Sequence, residues 1–232
     1  MNSWNSKDDT HINRNTRFFS HYPLCLLAGG GDLGVAILGE HFRKRDTYSV
    51  QERMTILKLL VINDLGPRYA WALMIASTIS LVKAGGYWDL PIWGVALAWL
   101  ISIVWCWLIY AAHKAGQTDN GHKLRKLEMK LKWILSAFYL GLGLTSLMTD
   151  APLEPNWLAT KAFLFGLIFV AAILIDVMFK PVGPLLMAVI EKGSNDDTEI
   201  PLNKTMNKSR CWVRIVYLLL VIVAFIGTTK FF

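Results

Sequence analysis

Six long apolar segments alternate with polar connections along the chain. A helix that crosses a bilayer needs about 20 mostly apolar residues, because it rises about 1.5 Å per residue through a hydrocarbon core of about 30 Å. The pattern therefore predicts an all-α polytopic membrane protein, a bundle of about six transmembrane helices in one domain (residues 17–232) that follows a polar tail (residues 1–16). The predicted spans are residues 17–39, 56–82, 91–112, 131–148, 158–179 and 211–229.

The composition supports a membrane chain rather than a soluble one. Hydrophobic residues make up 54% of the sequence and charged residues only 18%, whereas soluble domains carry about 25% charged residues. The three cysteines are widely spaced and form no Cys-x-x-Cys pair, so a disulfide scaffold is not expected. Basic and aromatic residues interleave only at the predicted membrane interfaces, which argues against nucleic acid as a partner.

The placement of the basic residues predicts the orientation of the chain. Counted together with the adjoining span ends, the connections after spans 1, 3 and 5 contain five, six and six Lys or Arg residues, and the opposite side contains six in total. Basic loops stay in the cytoplasm, so both termini are predicted to lie outside it, in a multi-pass protein of the cell inner membrane.

Three stretches outside or beside the predicted spans have a predicted local structure. Residues 122–132 should extend span 4 as a helix, with Leu124, Leu127 and Leu131 on one stripe. Residues 184–191, followed by Gly193, predict a short interfacial helix that ends at a glycine. The acidic residues 194–199 are expected to form a mobile loop.

Ionisable side chains inside the first two spans are the leading site candidates. Asp32 lies seven residues from Gly39 and Asp64 seven residues from Leu57, so each is about 10 Å from the inner end of its span. Arg68 follows Asp64 by four residues on the same helix face. A charged group in hydrocarbon costs about 2.5–3.5 kcal/mol, so each needs a partner or a water-filled cavity. The spacing predicts a polar layer in the inner leaflet.

Breaks in both helices are predicted near this layer. Pro67 lacks the amide hydrogen of a regular helix, Gly66 loosens the same turn, and Gly30 and Gly31 weaken the first span. Paired interruptions of adjacent helices are typical of transporter binding sites. One hypothesis is therefore an ion or solute pathway through Asp32, Asp64 and Arg68, joined by Asp176 of the fifth predicted span. The alternative is structural: Arg68 pins span 1 to span 2 through either carboxylate, and Asp176 pairs only with Lys180.

Two other functions stay open from the sequence. His41 and His113 both fall at inner ends of spans, so a redox subunit could hold haem b between them, although histidines at an interface also simply face water. The protein could instead be a structural or assembly subunit of a larger membrane complex, or a homo-oligomer in the lipid bilayer. No nucleophile motif or metal-ligand motif is present, so an enzyme is not favoured.

The chain resembles small bacterial inner-membrane proteins of the copper-resistance-protein-D-like group. The resemblance rests on His21 with the following glycine run, on Asp64, Pro67 and Arg68, and on Lys161 with Leu164 before a proline-containing inner loop. It covers residues 18–229 in outline and implies a multi-helix membrane protein, in a group of which some members are associated with copper handling. The sequence lacks a methionine-rich or histidine-rich copper motif, so the resemblance assigns no metal ligands.

Overall fold

The computed structural model describes residues 32–44 and 46–230, with the side chains of residues 32–36 excepted. Every regular element in this part of the chain is an α-helix. The helices, in chain order, are α1 (Asp32–Phe42), α2 (Val50–Asn63), α3 (Leu65–Ala84), α4 (Ile92–Ala115), α5 (Asp119–Thr149), α6 (Asn156–Phe179), α7 (Val182–Lys192) and α8 (Asp196–Thr229).

Four helical stretches among the described residues are long and apolar enough to cross a membrane. They are Ile92–Ala115, Asp119–Thr149, Asn156–Lys192 and Asp196–Thr229, and they contain the last four predicted spans. The predicted span 56–82 is divided between α2 and α3, which meet at Asp64. The predicted span 17–39 lies mostly outside the described residues. This arrangement indicates an all-helical, multi-pass membrane protein.

Close backbone approach fixes the central pair of helices, α5 and α6. A Cβ atom added at Gly143 of α5 would overlap the backbone nitrogen of Phe163 of α6. A Cβ added at Gly166 of α6 would lie 2.8 Å from the backbone nitrogen of Leu140. Ser136 adds an interhelical hydrogen bond from its Oγ to the Gly166 carbonyl oxygen, at 3.2 Å. Membrane helices often pack through small residues, which allow close van der Waals contact, because the hydrophobic effect does not drive helices together within lipid.

A layer of five aromatic rings fills the centre of the bundle. We call it the aromatic layer, and its members are Trp71 (α3), Trp105 (α4), Tyr139 (α5), Phe165 and Phe169 (both α6). Four of the rings have centroids 5.1–6.0 Å from that of Phe169. Buried aromatic pairs at these separations contribute about 0.5–1.5 kcal/mol each beyond their buried area. This layer ties α3, α4, α5 and α6 together.

A second, smaller apolar core lies beside the bundle. It joins the end of α1, α7 and the first turns of α8. Its buried members are Phe42, Val182, Leu186, Val189, Leu202 and Met206. The helix predicted at residues 184–191 is confirmed as part of α7, and Gly193 after it adopts a φ of 82°, a conformation that favours glycine.

The prediction of a mobile acidic loop at residues 194–199 was wrong. Asn195 caps α8, its side chain accepting from the backbone N–H of Thr198, and the Thr198 side chain bonds back to the Asn195 backbone. Three acidic residues then occupy the first turn, where the positive end of the helix dipole favours them. One of them, Glu199, is fully buried against Arg53. Capping and this long-range ion pair order a segment that composition alone describes as a loop.

The helical extension predicted at residues 122–132 is confirmed as part of α5. Leu127, on the predicted apolar stripe, is 52% exposed. The face that packs inward carries Gly121, Glu128 and Lys132 instead. Burial of two charged side chains on this face creates the site described next.

Candidate functional site

Five charged side chains from three helices and the α2–α3 junction meet at one end of the bundle. We call this cluster the charge network. It consists of Asp64 at the junction, Arg68 of α3, Glu128 and Lys132 of α5, and Asp176 of α6.

Arg68 is the member that contacts all three carboxylates. Its Nε lies 2.6 Å from Oδ2 of Asp64, and its Nη2 lies 3.2 Å from Oδ1 of Asp176. Its Nη1 is 3.8 Å from Oε1 of Glu128. The planar guanidinium presents donors in several directions at once, which is the geometry that one residue needs to join three acids.

Lys132 closes the network from the other side. Its Nζ lies 2.6 Å from Oδ2 of Asp176 and 3.0 Å from Oε1 of Glu128. The indole Nε1 of Trp105 also donates to Oε1 of Glu128, at 3.4 Å. Asp176 therefore uses one carboxylate oxygen for Arg68 and the other for Lys132.

Local helix geometry brings these partners together. Arg68 follows Asp64 by four residues, and Lys132 follows Glu128 by four, the spacing that places side chains on one helix face. The backbone is interrupted at the same place: Asp64 ends α2, and Pro67 in the first turn of α3 has no amide hydrogen to donate. The Asp64–Arg68 pair lies at this break, at the partly exposed end of the charge network.

Exposure falls across the network from one end to the other. The side chains of Asp64 and Arg68 are 36% and 35% exposed, whereas those of Glu128 and Lys132 are 7% and 9% exposed. Asp176, at 22%, lies between them. Three carboxylates against two cationic groups leave one formal negative charge when all five are ionised. The site is thus a partly open acidic cluster with a buried end.

The aromatic layer closes the deeper side of the charge network. Asp64 and Trp71, Lys132 and Tyr139, and Phe169 and Asp176 are each seven residues apart in sequence. Seven residues are about two helical turns, or about 10 Å along the axis. Trp105 of the aromatic layer contacts the charge network, since its ring packs on Phe169 while its Nε1 donates to Glu128. A polar layer therefore lies directly on an apolar one.

The structure brings together three of the side chains singled out from the sequence, Asp64, Arg68 and Asp176. The carboxylate of Asp176 contacts Arg68 and Lys132, and Lys180 meets Asp176 only through a backbone hydrogen bond. Gly66 and Pro67 lie in the first turn of α3. Asp32 begins α1, and its side chain lies outside the described residues, as do Gly30 and Gly31.

The two histidines considered for haem are placed in different surroundings. His41 of α1 lies with its Nδ1 2.9 Å from the hydroxyl of Tyr48. His113 is exposed in the last turn of α4. Within the described part of the chain the two rings share no contact, and no group of three or more His, Cys, Asp or Glu side chains could hold a metal ion.

Glu128 and Lys132 are the members that sequence reasoning missed. The charge count places Lys132 among the basic residues on the predicted cytoplasmic side, and no sequence pattern gives Glu128 a role. One signal was available: the pair is spaced by four residues at the boundary where the polar part of α5 becomes apolar.

Comparison of the chain with protein-family models, with curated proteins and with solved structures gives no match.

Proposed function

We propose that the protein is a six-span inner-membrane protein that moves a proton or a small monovalent cation, with the charge network as its relay. The observation that carries this proposal is the excess carboxylate. Among the described residues this cluster has three acids and two bases, which is one more carboxylate than its cationic groups neutralise. The uncompensated carboxylate is a place for a proton or a cation.

The arrangement of partners suits a relay. Each carboxylate is within 4 Å of a cationic group that also contacts another carboxylate. Protonation or cation binding at the exposed acid, Asp64, frees Arg68 to strengthen its contacts with Asp176 and Glu128. The charge then passes inward, toward the end that Trp105 and the rest of the aromatic layer close. Passage further requires these rings to part, so the aromatic layer is the gate of the proposed pathway.

The six-span topology completes this proposal. Residues 17–39 and 56–82 would be the first two spans, and the basic connections would lie in the cytoplasm. The charge network then opens toward the cytoplasm, because Asp176 lies near the end of α6 that leads into a basic connection. The copper-related role implied by the family resemblance stays a prediction of the sequence.

The test is ion flux through the full-length protein reconstituted in lipid vesicles. A potassium gradient with valinomycin sets an inside-negative potential, and enclosed dyes report proton or sodium entry. We expect flux above that of protein-free vesicles, and at least about a tenfold loss in Asp64→Asn and Glu128→Gln, because each removes a relay carboxylate.

The matched control is Glu154→Gln, an exposed carboxylate before α6, at the other end of the bundle. It should retain the wild-type flux. Equal flux in the control and in both relay variants, or wild-type flux no greater than that of empty vesicles for both ions, would overturn the proposal. Size-exclusion profiles of each variant separate loss of transport from loss of folding.

A further inference from the structure

Two lysines lie at the end of the bundle opposite the charge network. Lys161 is in the second turn of α6, and Lys230 directly follows α8. Lys161 and Asp176 are fifteen residues apart on one helix, which places them about 22 Å from each other along its axis. We call Lys161 and Lys230 the lysine pair; it is a separate feature from the proposed relay.

Both ammonium groups face the same aromatic ring. The Nζ of Lys161 lies 5.8 Å from the centroid of Trp157, and that of Lys230 lies 5.1 Å from it. Lys230 also reaches Tyr87, with its Nζ 3.0 Å from the hydroxyl and 5.4 Å from the ring centroid. Tyr87 and Trp157 pack edge to face at 5.3 Å. The two rings and the two cations thus form one half-buried cluster.

The lysine pair has no carboxylate partner among the described residues. The ion pairs found there involve other cationic side chains, namely Arg43, Arg53, Arg68, Lys132 and Arg210. Two ammonium groups beside one ring repel each other, and cation–π contacts compensate only part of this repulsion. An anion between them would remove it.

The ammonium group of Lys161 lies close to the backbone of α8. A Cβ atom added at Gly227 of α8 would lie 2.6 Å from that Nζ. The ammonium group of Lys161 therefore lies directly against the backbone of α8 at this glycine. The cluster is formed jointly by α6, the end of α8, and Tyr87 from the connection after α3.

We propose that the lysine pair binds a phosphate group. Trp and Tyr concentrate at the headgroup level of a bilayer, where lipid phosphates are the abundant anions. Two ammonium donors and a tyrosine hydroxyl match the acceptor oxygens of a phosphate. An anionic lipid headgroup and inorganic phosphate both supply this group, and the experiment distinguishes the two sources.

The experiment measures the thermal stabilisation of the full-length protein in an uncharged detergent, titrated with three probes at matched ionic strength. The probes are a short-chain phosphatidylglycerol, the corresponding phosphatidylcholine and inorganic phosphate. Stabilisation by phosphatidylglycerol alone identifies a lipid site, and stabilisation by inorganic phosphate identifies a free-anion site. No difference between these two probes and phosphatidylcholine overturns the proposal.

Substitutions of the two lysines test whether the lysine pair is the binding site. K161Q/K230Q should weaken the apparent Kd for the effective probe about tenfold, whereas K161R/K230R should keep it. The control K126Q/K130Q removes the same charge from exposed positions of α5 at the other end. An equal weakening in the control and in K161Q/K230Q overturns the assignment. K230Q alone, just after the end of α8, provides the test if the double variant fails to fold.

Discussion

Lys132 and Asp176 face each other between α5 and α6, with the lysine Nζ 2.6 Å from Oδ2 of the carboxylate. The other oxygen of Asp176 accepts from Arg68 at 3.2 Å. One carboxylate thus joins α3, α5 and α6 through two cations. This arrangement makes α6 the helix on which both the charge network and the aromatic layer depend.

A double-mutant cycle should show strong coupling between these two residues. Lys132→Met and Asp176→Leu each leave a charged partner with too few contacts in a buried place, so each should be destabilising. The double variant should be more stable than the sum of the two by about 1–3 kcal/mol, because it removes both charges together. Thermal unfolding of the four proteins in one detergent measures this coupling. Additive effects would show that the pair does not act as a unit.

Two glycines of α5 should respond in opposite ways to the same substitution. Gly143→Ala places a methyl group on the backbone of Phe163, so it should force α5 and α6 apart and lower the unfolding temperature markedly. Gly141→Ala is the matched control, since nothing lies within 4 Å of the added carbon. It should stabilise the helix by about 0.5–1 kcal/mol. Similar behaviour of both variants would contradict the close packing of these helices.

Arg53 and Glu199 should stabilise the second core. Their side chains are each 1% exposed and meet through two hydrogen bonds of 2.5 and 3.0 Å, and Arg53 also donates to the Phe42 carbonyl oxygen at 2.7 Å. Arg53→Met leaves the carboxylate buried with its hydrogen bond from Ser194. We expect a loss of about 3 kcal/mol.

Amide hydrogen exchange shows which helices lose stability in Arg53→Met. Amides of α7 and of the first turns of α8 should exchange faster in Arg53→Met, while those around Phe169 should not change. Lys58→Met, at an exposed position of the same helix, is the control. Indistinguishable exchange in the two variants would rule out a stabilising role for the pair.

The start of α2 should loosen in acid. Hydrogen bonds from the backbone and the side chain of Ser49 lower the pKa of Glu52 below its ordinary value of 4.5. A lowered carboxyl pKa stabilises the folded cap above the ordinary value, and this contribution is lost as the pH falls through the folded pKa. Protection of the amides of residues 50–53, corrected for intrinsic exchange, should decrease below pH 4.5. Glu52→Gln retains the capping geometry without titrating, so a pH response equal to wild type in that variant would refute this explanation.

Hydropathy and helix spacing predict the helical class, the last four membrane-capable helices and the Asp64–Arg68 pair, because each depends on neighbours in sequence. Glu128 and Lys132 were missed for a physical reason. They lie at the polar end of an apolar helix, where charged residues ordinarily face water, and only the packing of α5 on α6 buries them. Arg53 and Glu199 are 146 residues apart, and no local pattern in either segment indicates the other.

The proposed relay requires the charge network to open to the side of the membrane that carries the basic connections. In a variant whose Cys25, Cys106 and Cys211 are replaced by serine or alanine, a single cysteine is introduced as Asp64→Cys or, at the opposite end, as Glu154→Cys. Each is treated with a membrane-impermeant maleimide in right-side-out and in inverted vesicles. We predict labelling of Asp64→Cys in inverted vesicles only and of Glu154→Cys in right-side-out vesicles only. Labelling of both variants from the same side, or of Asp64→Cys in right-side-out vesicles, would contradict the proposed orientation of the charge network.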